Sequence, residues 1–213
     1  MSPSNANLKA GYQFTTHWFT ESARLGWERI LPLVKPQTIL EIGAFEGASA
    51  CYLIETLGSQ SPLSVHCIDT WQGGVEHQGH DMEAVEQRFD ANTALAISGA
   101  KHCVTLEKHK GPSDTVLVHL LAKGYASRFD FIYVDGSHQA CDVLADAVLA
   151  FRLCKPGGVM VFDDYLWTAE GKDGVDLLHS PKLAIDAFTS IYRGKLTIVP
   201  APLFQMVVVK TKA

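Results

Sequence analysis

Apolar residues along the chain fall into short runs separated by stretches of helical period. The runs at 38–42, 64–68, 104–107, 129–134 and 159–162 have strand length and β-branched or aromatic content. The run at 129–134, Phe-Asp-Phe-Ile-Tyr-Val, is of the kind buried on both faces of a sheet. Between the runs, helices are expected at 15–34, 47–57, 113–122, 137–153 and 181–193, and from an N-cap at Asp81 to about residue 97. Pro36 stops the first, and Gly58 marks the end of the second. Residues 71–80 are rich in glycine and histidine and read as a loop. Two last strands, 196–200 and 204–210, are joined by the short link 201–203, a length that suits an antiparallel hairpin.

Strands alternating with helices predict an α/β fold: a Rossmann-like, doubly wound sheet of seven strands. It is mostly parallel, with an antiparallel C-terminal hairpin and helices on both faces. The chain of 213 residues suits one domain, with 1–36 as arm and first helix and 37–213 as core. Right-handed crossovers bring the carboxyl ends of the parallel strands to one edge, and ligands bind there. The residues just after each strand are therefore the candidates for chemistry.

Composition removes other classes. With 47% hydrophobic and 19% charged residues the chain is an ordinary globular protein. A net charge of −5 argues against nucleic-acid or anionic-membrane partners, which need a basic face. No apolar run reaches membrane-spanning length, and the start lacks the pattern of a secretory signal. Five cysteines without a CxxC pair read as buried, reduced thiols in a cytoplasmic protein.

The first strand ends in Glu41-Ile-Gly43-Ala44-Phe-Glu46-Gly47-Ala-Ser49. This turn lacks the spacing of a dinucleotide loop, and Glu46 at the helix start would repel a phosphate. An acidic turn suits a cationic ligand, and S-adenosylmethionine is one. Asp69, at the tip of the second strand, can accept the hydroxyls of a ribose. Strands four and five should be neighbours, which sets Asp135 beside Asp163 and Asp164. Three carboxylates in one crevice call for a divalent, oxygen-loving cation such as magnesium or manganese. His138 can reach the same crevice, and an imidazole suits proton removal near neutral pH. His77, His80 and Asp81 look like metal ligands but are read as lid residues. Trp18 and Phe19 are expected to pack, and Tyr165 and Trp167 could wall an acceptor pocket.

With these residues assembled, the chain resembles class I S-adenosylmethionine-dependent methyltransferases. The nearest branch is that of macrolide-sugar O-methyltransferases and cephalosporin-hydroxylase-like proteins, related to the metal-dependent catechol and caffeoyl-CoA enzymes. The resemblance covers residues 37–167 and is strongest at 41–49, 68–71 and 129–167. It implies cofactor contacts at Glu41, Gly43, Ala44, Gly47, Ser49, Asp69, Thr70, Trp71, Gly111, Ser113 and Asp135. It implies metal ligands at Asp135, Asp163 and Asp164, with His138 or Asp135 as base. Catechol-type relatives usually carry Asp-Asn after the fifth strand and a lysine in place of His138. The Asp-Asp and His138 found here favour sugar-type acceptors, so O-methylation of a small-molecule hydroxyl is expected. The alternatives are a non-catalytic or accessory protein on the same fold, and a nicotinamide oxidoreductase. Self-association is left open.

Overall fold

The computed structural model describes residues 11–74, 77–171, 174–202 and 204–212. The arm at 1–10, residues 75 and 76 of the 71–80 loop, and Leu203 of the hairpin link lie outside them.

Seven strands make one sheet. They are β1 (Thr38–Ile42), β2 (Leu63–Asp69), β3 (Val104–Lys110), β4 (Phe129–Val134), β5 (Cys154–Phe162), β8 (Leu196–Val199) and β9 (Met206–Lys210). Their order is β3-β2-β1-β4-β5-β9-β8. The first five are parallel, and β9 runs antiparallel to both β5 and β8. The chain winds outward from β1 to β3, then crosses back to β4. The switch point therefore lies between β1 and β4, where the loops after both strands part to opposite sides.

Helices α1 (Trp18–Glu21), α2 (Arg24–Val34), α3 (Ala48–Leu57) and α4 (Met82–Ser98) cover one face. Helices α5 (Ser113–Ala122), α6 (Ala140–Leu153) and α7 (Pro181–Ile191) cover the other. Side chains alternate along each strand, so Ile39, Phe131, Tyr133 and Val161 enter one core while Leu40, Ile132, Val134 and Phe162 enter the second. Burying both faces explains why β4 is apolar nearly throughout. Asp130 is its one charged member. It accepts from the amides of Gln37 and Thr38 and pairs with Lys155, which fixes the start of β1 against β4.

Several features depart from the sequence reading. The helix expected at 15–34 is broken into α1 and α2 at Ser22 and Ala23. β3 continues through the polar residues Lys108, His109 and Lys110, because an edge strand needs no apolar side chains to keep its ladder. β5 starts at Cys154, so the Pro-Gly-Gly segment after it is part of the strand. A two-stranded ribbon, β6 (Ala169–Gly171) and β7 (Gly174–Asp176), follows β5 and is too short to carry a period. The expected burial of the cysteines holds for Cys51, Cys67 and Cys154, whereas Cys103 and Cys141 are exposed because they sit at a strand approach and on an outer helix face. No helix among the described residues is long and apolar enough to cross a membrane.

Candidate active site

The loops after β1, β2 and β5 each contain a non-glycine residue with positive φ: Phe45 (45°), Trp71 (48°) and Asp164 (53°). Such conformations cost free energy and tend to persist at ligand sites. Here they turn the chain sharply at the carboxyl edge of the sheet.

The β1 loop is held from several sides. Gly43 has φ 87°, and a Cβ there would stand 1.9 Å from the carbonyl oxygen of Asp135. Only glycine lets the two loops at the switch point approach this closely. Gly47, with φ 81°, is the N-cap of α3. Glu41 is fully buried and accepts bonds from the Ser49 hydroxyl and the Cys67 thiol. Burial raises its pKa to about 7, against the opposing effect of those two donors. Glu41 and Ser49 thus brace the turn from beneath. Ala44 is also buried and contributes its backbone amide to the turn's fixation.

Glu46 corrects the sequence reading. Its carboxylate is buried and accepts from Arg88 Nε at 2.6 Å and from the Thr15 amide and hydroxyl at 2.7 Å each. The charge expected to repel a phosphate is spent inside the protein.

Asp69 also has a structural task. Its Oδ2 accepts from the amides of Ala44 (3.0 Å) and Phe45 (2.8 Å), and its Oδ1 from the amide of Trp71 (2.7 Å). A carboxylate oxygen accepts about two bonds, so Oδ1 keeps room for a further donor. Trp71 is buried, donates its indole N–H to Phe45 O at 3.0 Å, and lies under the Lys108 ammonium. It anchors the loop from within. Thr70 accepts from the amide of Gln72, and Gly111 donates its amide to Asp69 O. Ser113 opens α5 beside them.

On the far side of the switch point, β4 and β5 are neighbours in register, Val134 opposite Phe162. The three aspartates line one pocket but differ in their partners. Asp135 and Asp163 share the hydroxyl of Tyr133, at 2.9 Å for Asp135. Asp164 turns instead to His138, with 2.9 Å between Oδ2 and Nε2. Burial, and then the repulsion between neighbouring carboxylates, lifts Asp135 well above its usual range. Burial likewise brings Asp163 to about 6, opposed by the Tyr133 bond. His138 stacks on Trp167 with ring centroids 4.1 Å apart. A shallow pocket here is lined by Asp135, His138, Asp163, Asp164, Pro181 and Ile185.

The aromatic residues divide. Trp18 is half exposed and, with Phe45, His77 and His80, roofs the β1 loop. Phe19 is buried against Trp27 and Tyr52, as expected of a packing residue. Trp167 faces the pocket through His138, but Tyr165 does not: its hydroxyl bonds Asp186 on α7 at 2.7 Å. Asp81 caps α4 by accepting from the Ala84 amide, and it does not converge with His77 and His80 into a group of ligand atoms.

The family model described as a methyltransferase domain matches residues 40–165, more than half of the chain. The chain belongs to this methyltransferase family. No curated protein matches its sequence. Among solved structures it is similar to the O-methyltransferase TomG of Streptomyces achromogenes, solved with SAM: 21% identity, 92% of this chain, 86% of that one, TM-score 0.63. It is also similar to an O-methyltransferase from Bacillus cereus, solved with SAH: 21% identity, 96% and 86% coverage, TM-score 0.59. At these identities the likeness establishes the class I methyltransferase fold.

Two buried residues behind this crevice escape a strand-end search. Tyr133 lies inside the apolar run of β4 and reads as core. Trp27 of α2 meets its ring edge-on at 4.6 Å and fixes it from behind. Asp146, on α6, is buried with neither carboxylate oxygen in a hydrogen bond of good geometry. Burial raises its pKa to about 7, and Ser113 offsets only part of that. A Cβ on Gly136 would lie 3.8 Å from its Oδ2, which places it behind the β4 loop.

Proposed function

We propose that this methyltransferase-domain protein transfers the methyl group of S-adenosylmethionine to a hydroxyl of a small, sugar-like or natural-product-like acceptor. The observation that carries the reading is the pairing of two assemblies across the switch point. One is the braced Gly43–Gly47 turn with Asp69; the other is the acid and imidazole group of Tyr133, Asp135, Asp163 and His138.

In this reading the cofactor lies along the β1 loop, with one ribose hydroxyl on the remaining acceptor position of Asp69 Oδ1. The acceptor sits over the pocket at β4 and β5, against Trp167. Asp164 holds the His138 ring in place, and His138 or Asp135 takes the hydroxyl proton. The oxygen forms its bond to the methyl carbon as the carbon–sulfur bond breaks, and the sulfonium leaves as a thioether. Positioning and exclusion of water supply most of the acceleration, since methyl transfer asks little else of the protein.

The donor chemistry of the Asp135 and Asp163 pair suits magnesium or manganese, and Asp164 lines the same pocket with its Oδ2 bonded to His138. A cation on that pair would supply chelation of the acceptor and acidification of its hydroxyl. The test is transfer of a labelled methyl group to a panel of sugar and natural-product alcohols, before and after EDTA. Labelled ether product supports the reading. S-adenosylhomocysteine binding without turnover across the panel would point to a non-catalytic relative. Full activity after EDTA would remove the cation alone.

A further inference from the structure

A second convergence of donor atoms lies away from the crevice, at the edge of the sheet. β3 is the outermost strand and pairs with β2, setting His66 opposite Glu107 and Ile68 opposite His109. Strand alternation puts Glu107 and His109 on the same face as His66. His66 Nδ1 is 3.0 Å from His109 Nε2, and Glu107 Oε2 is 3.7 Å from the first and 3.9 Å from the second. A point equidistant from these three atoms lies about 2.1 Å from each, the length zinc makes to imidazole nitrogen and carboxylate oxygen. Among the described residues this is the one group of three such side chains so gathered.

The surroundings suit an ion. The two imidazoles stack within 10° of parallel, and Tyr125 and Phe129 pack edge-on against His66. His66 is buried, His109 half-buried and Glu107 exposed, so the group is fixed from the core side and open to solvent on the other. Burial lowers the pKa of both histidines, which keeps them neutral at pH 7 as ligation requires. Glu107 works against that lowering in both rings. Lys123, close to His109, works with it and also opposes a cation.

We propose that His66, Glu107 and His109 form a site for a borderline divalent transition ion of zinc's class, with water in the fourth position. Two nitrogen donors disfavour magnesium and calcium, which take oxygen. Such an ion would clamp the edge strand β3 to β2. The site is distinct from the Asp135 and Asp163 pair and does not depend on the methyl-transfer reading.

Cobalt chloride titrated into the chelator-stripped full chain at pH 7.5 tests this. The expected result is intense visible absorption equivalent to one four-coordinate cobalt per chain, whereas cobalt held by the oxygens of Asp135 and Asp163 would be six-coordinate and absorb weakly. Added zinc should bleach the bands and raise the melting temperature. His109→Ala should abolish the bands, and Glu107→Gln, at an exposed position that leaves folding intact, should weaken binding by about tenfold or more. Asp163→Asn should leave the bands unchanged, which separates this site from the crevice. Absence of bands in the wild type, their survival in a folded His109→Ala or Glu107→Gln protein at full affinity, or their loss in Asp163→Asn would each overturn the assignment.

Discussion

A single hydroxyl carries much of the electrostatics in the crevice. Tyr133 has one proton to donate and two carboxylates to satisfy, so if Asp135 and Asp163 are both ionised, one of them faces the phenol oxygen with no proton between them. Tyr133→Phe should therefore lower kcat by roughly 10- to 100-fold, the loss of one to two charge-assisted bonds, while S-adenosylhomocysteine affinity by calorimetry stays within a few-fold. Asp146 gives a pH signature of its own. Its pKa is about 7 in the fold and near 3.8 in the unfolded chain. Below about pH 4 both states hold the proton, and the stability it confers is fully present. As pH rises toward 7 the unfolded chain releases the proton first, and that stability is lost, by on the order of 1–4 kcal/mol at pH 8. Asp146→Asn mimics the neutral form. It should melt several degrees above wild type at pH 8 and close to it at pH 4, by calorimetry. Strand-end position reveals Asp135, Asp163, Asp164 and His138 in the sequence. The same logic hides Tyr133 and Asp146, because their neighbours are apolar. The burial of Glu46 is hidden for a different reason: its partner Arg88 lies on α4, beyond any local spacing.

At the level of elements, the period of hydrophobic residues recovers the five parallel strands and most helices, since buried strands and two-sided packing force that pattern. Edge and ribbon strands escape it. β3 is completed by charged residues, and β6 and β7 are too short to alternate. The contact between the loops after β1 and β4 is also invisible in sequence beyond a glycine at the turn. Gly43→Ala would drive a methyl group into the Asp135 carbonyl and demand a positive φ of alanine. The expected cost is about 2–4 kcal/mol, from overpacking and backbone strain together. Thermal denaturation would show it as a lower melting temperature, and cofactor affinity should fall with it because the turn must shift.

For the whole molecule, nearly every element serves one sheet, and both cores run beneath the same edge. Unfolding should accordingly be one cooperative transition. S-adenosylhomocysteine at a hundred times its dissociation constant should add about 2.7 kcal/mol and raise the midpoint by roughly 5–10 °C, while NAD should not. The doubly wound sheet was legible because strands alternate with helices along the chain, whereas the strand order came from the structure. Which charges end up facing solvent was not, because that depends on pairs brought together by the fold. One such pair has a reach beyond the site. Gln13 and Thr15 dock on Asn92 and Glu46, so the backbone at 13–15 is laced to the very turn that would carry the cofactor. The amide protons of these two residues are then natural reporters of occupancy. Their exchange with deuterated solvent should slow when the turn is filled, although neither residue touches the ligand.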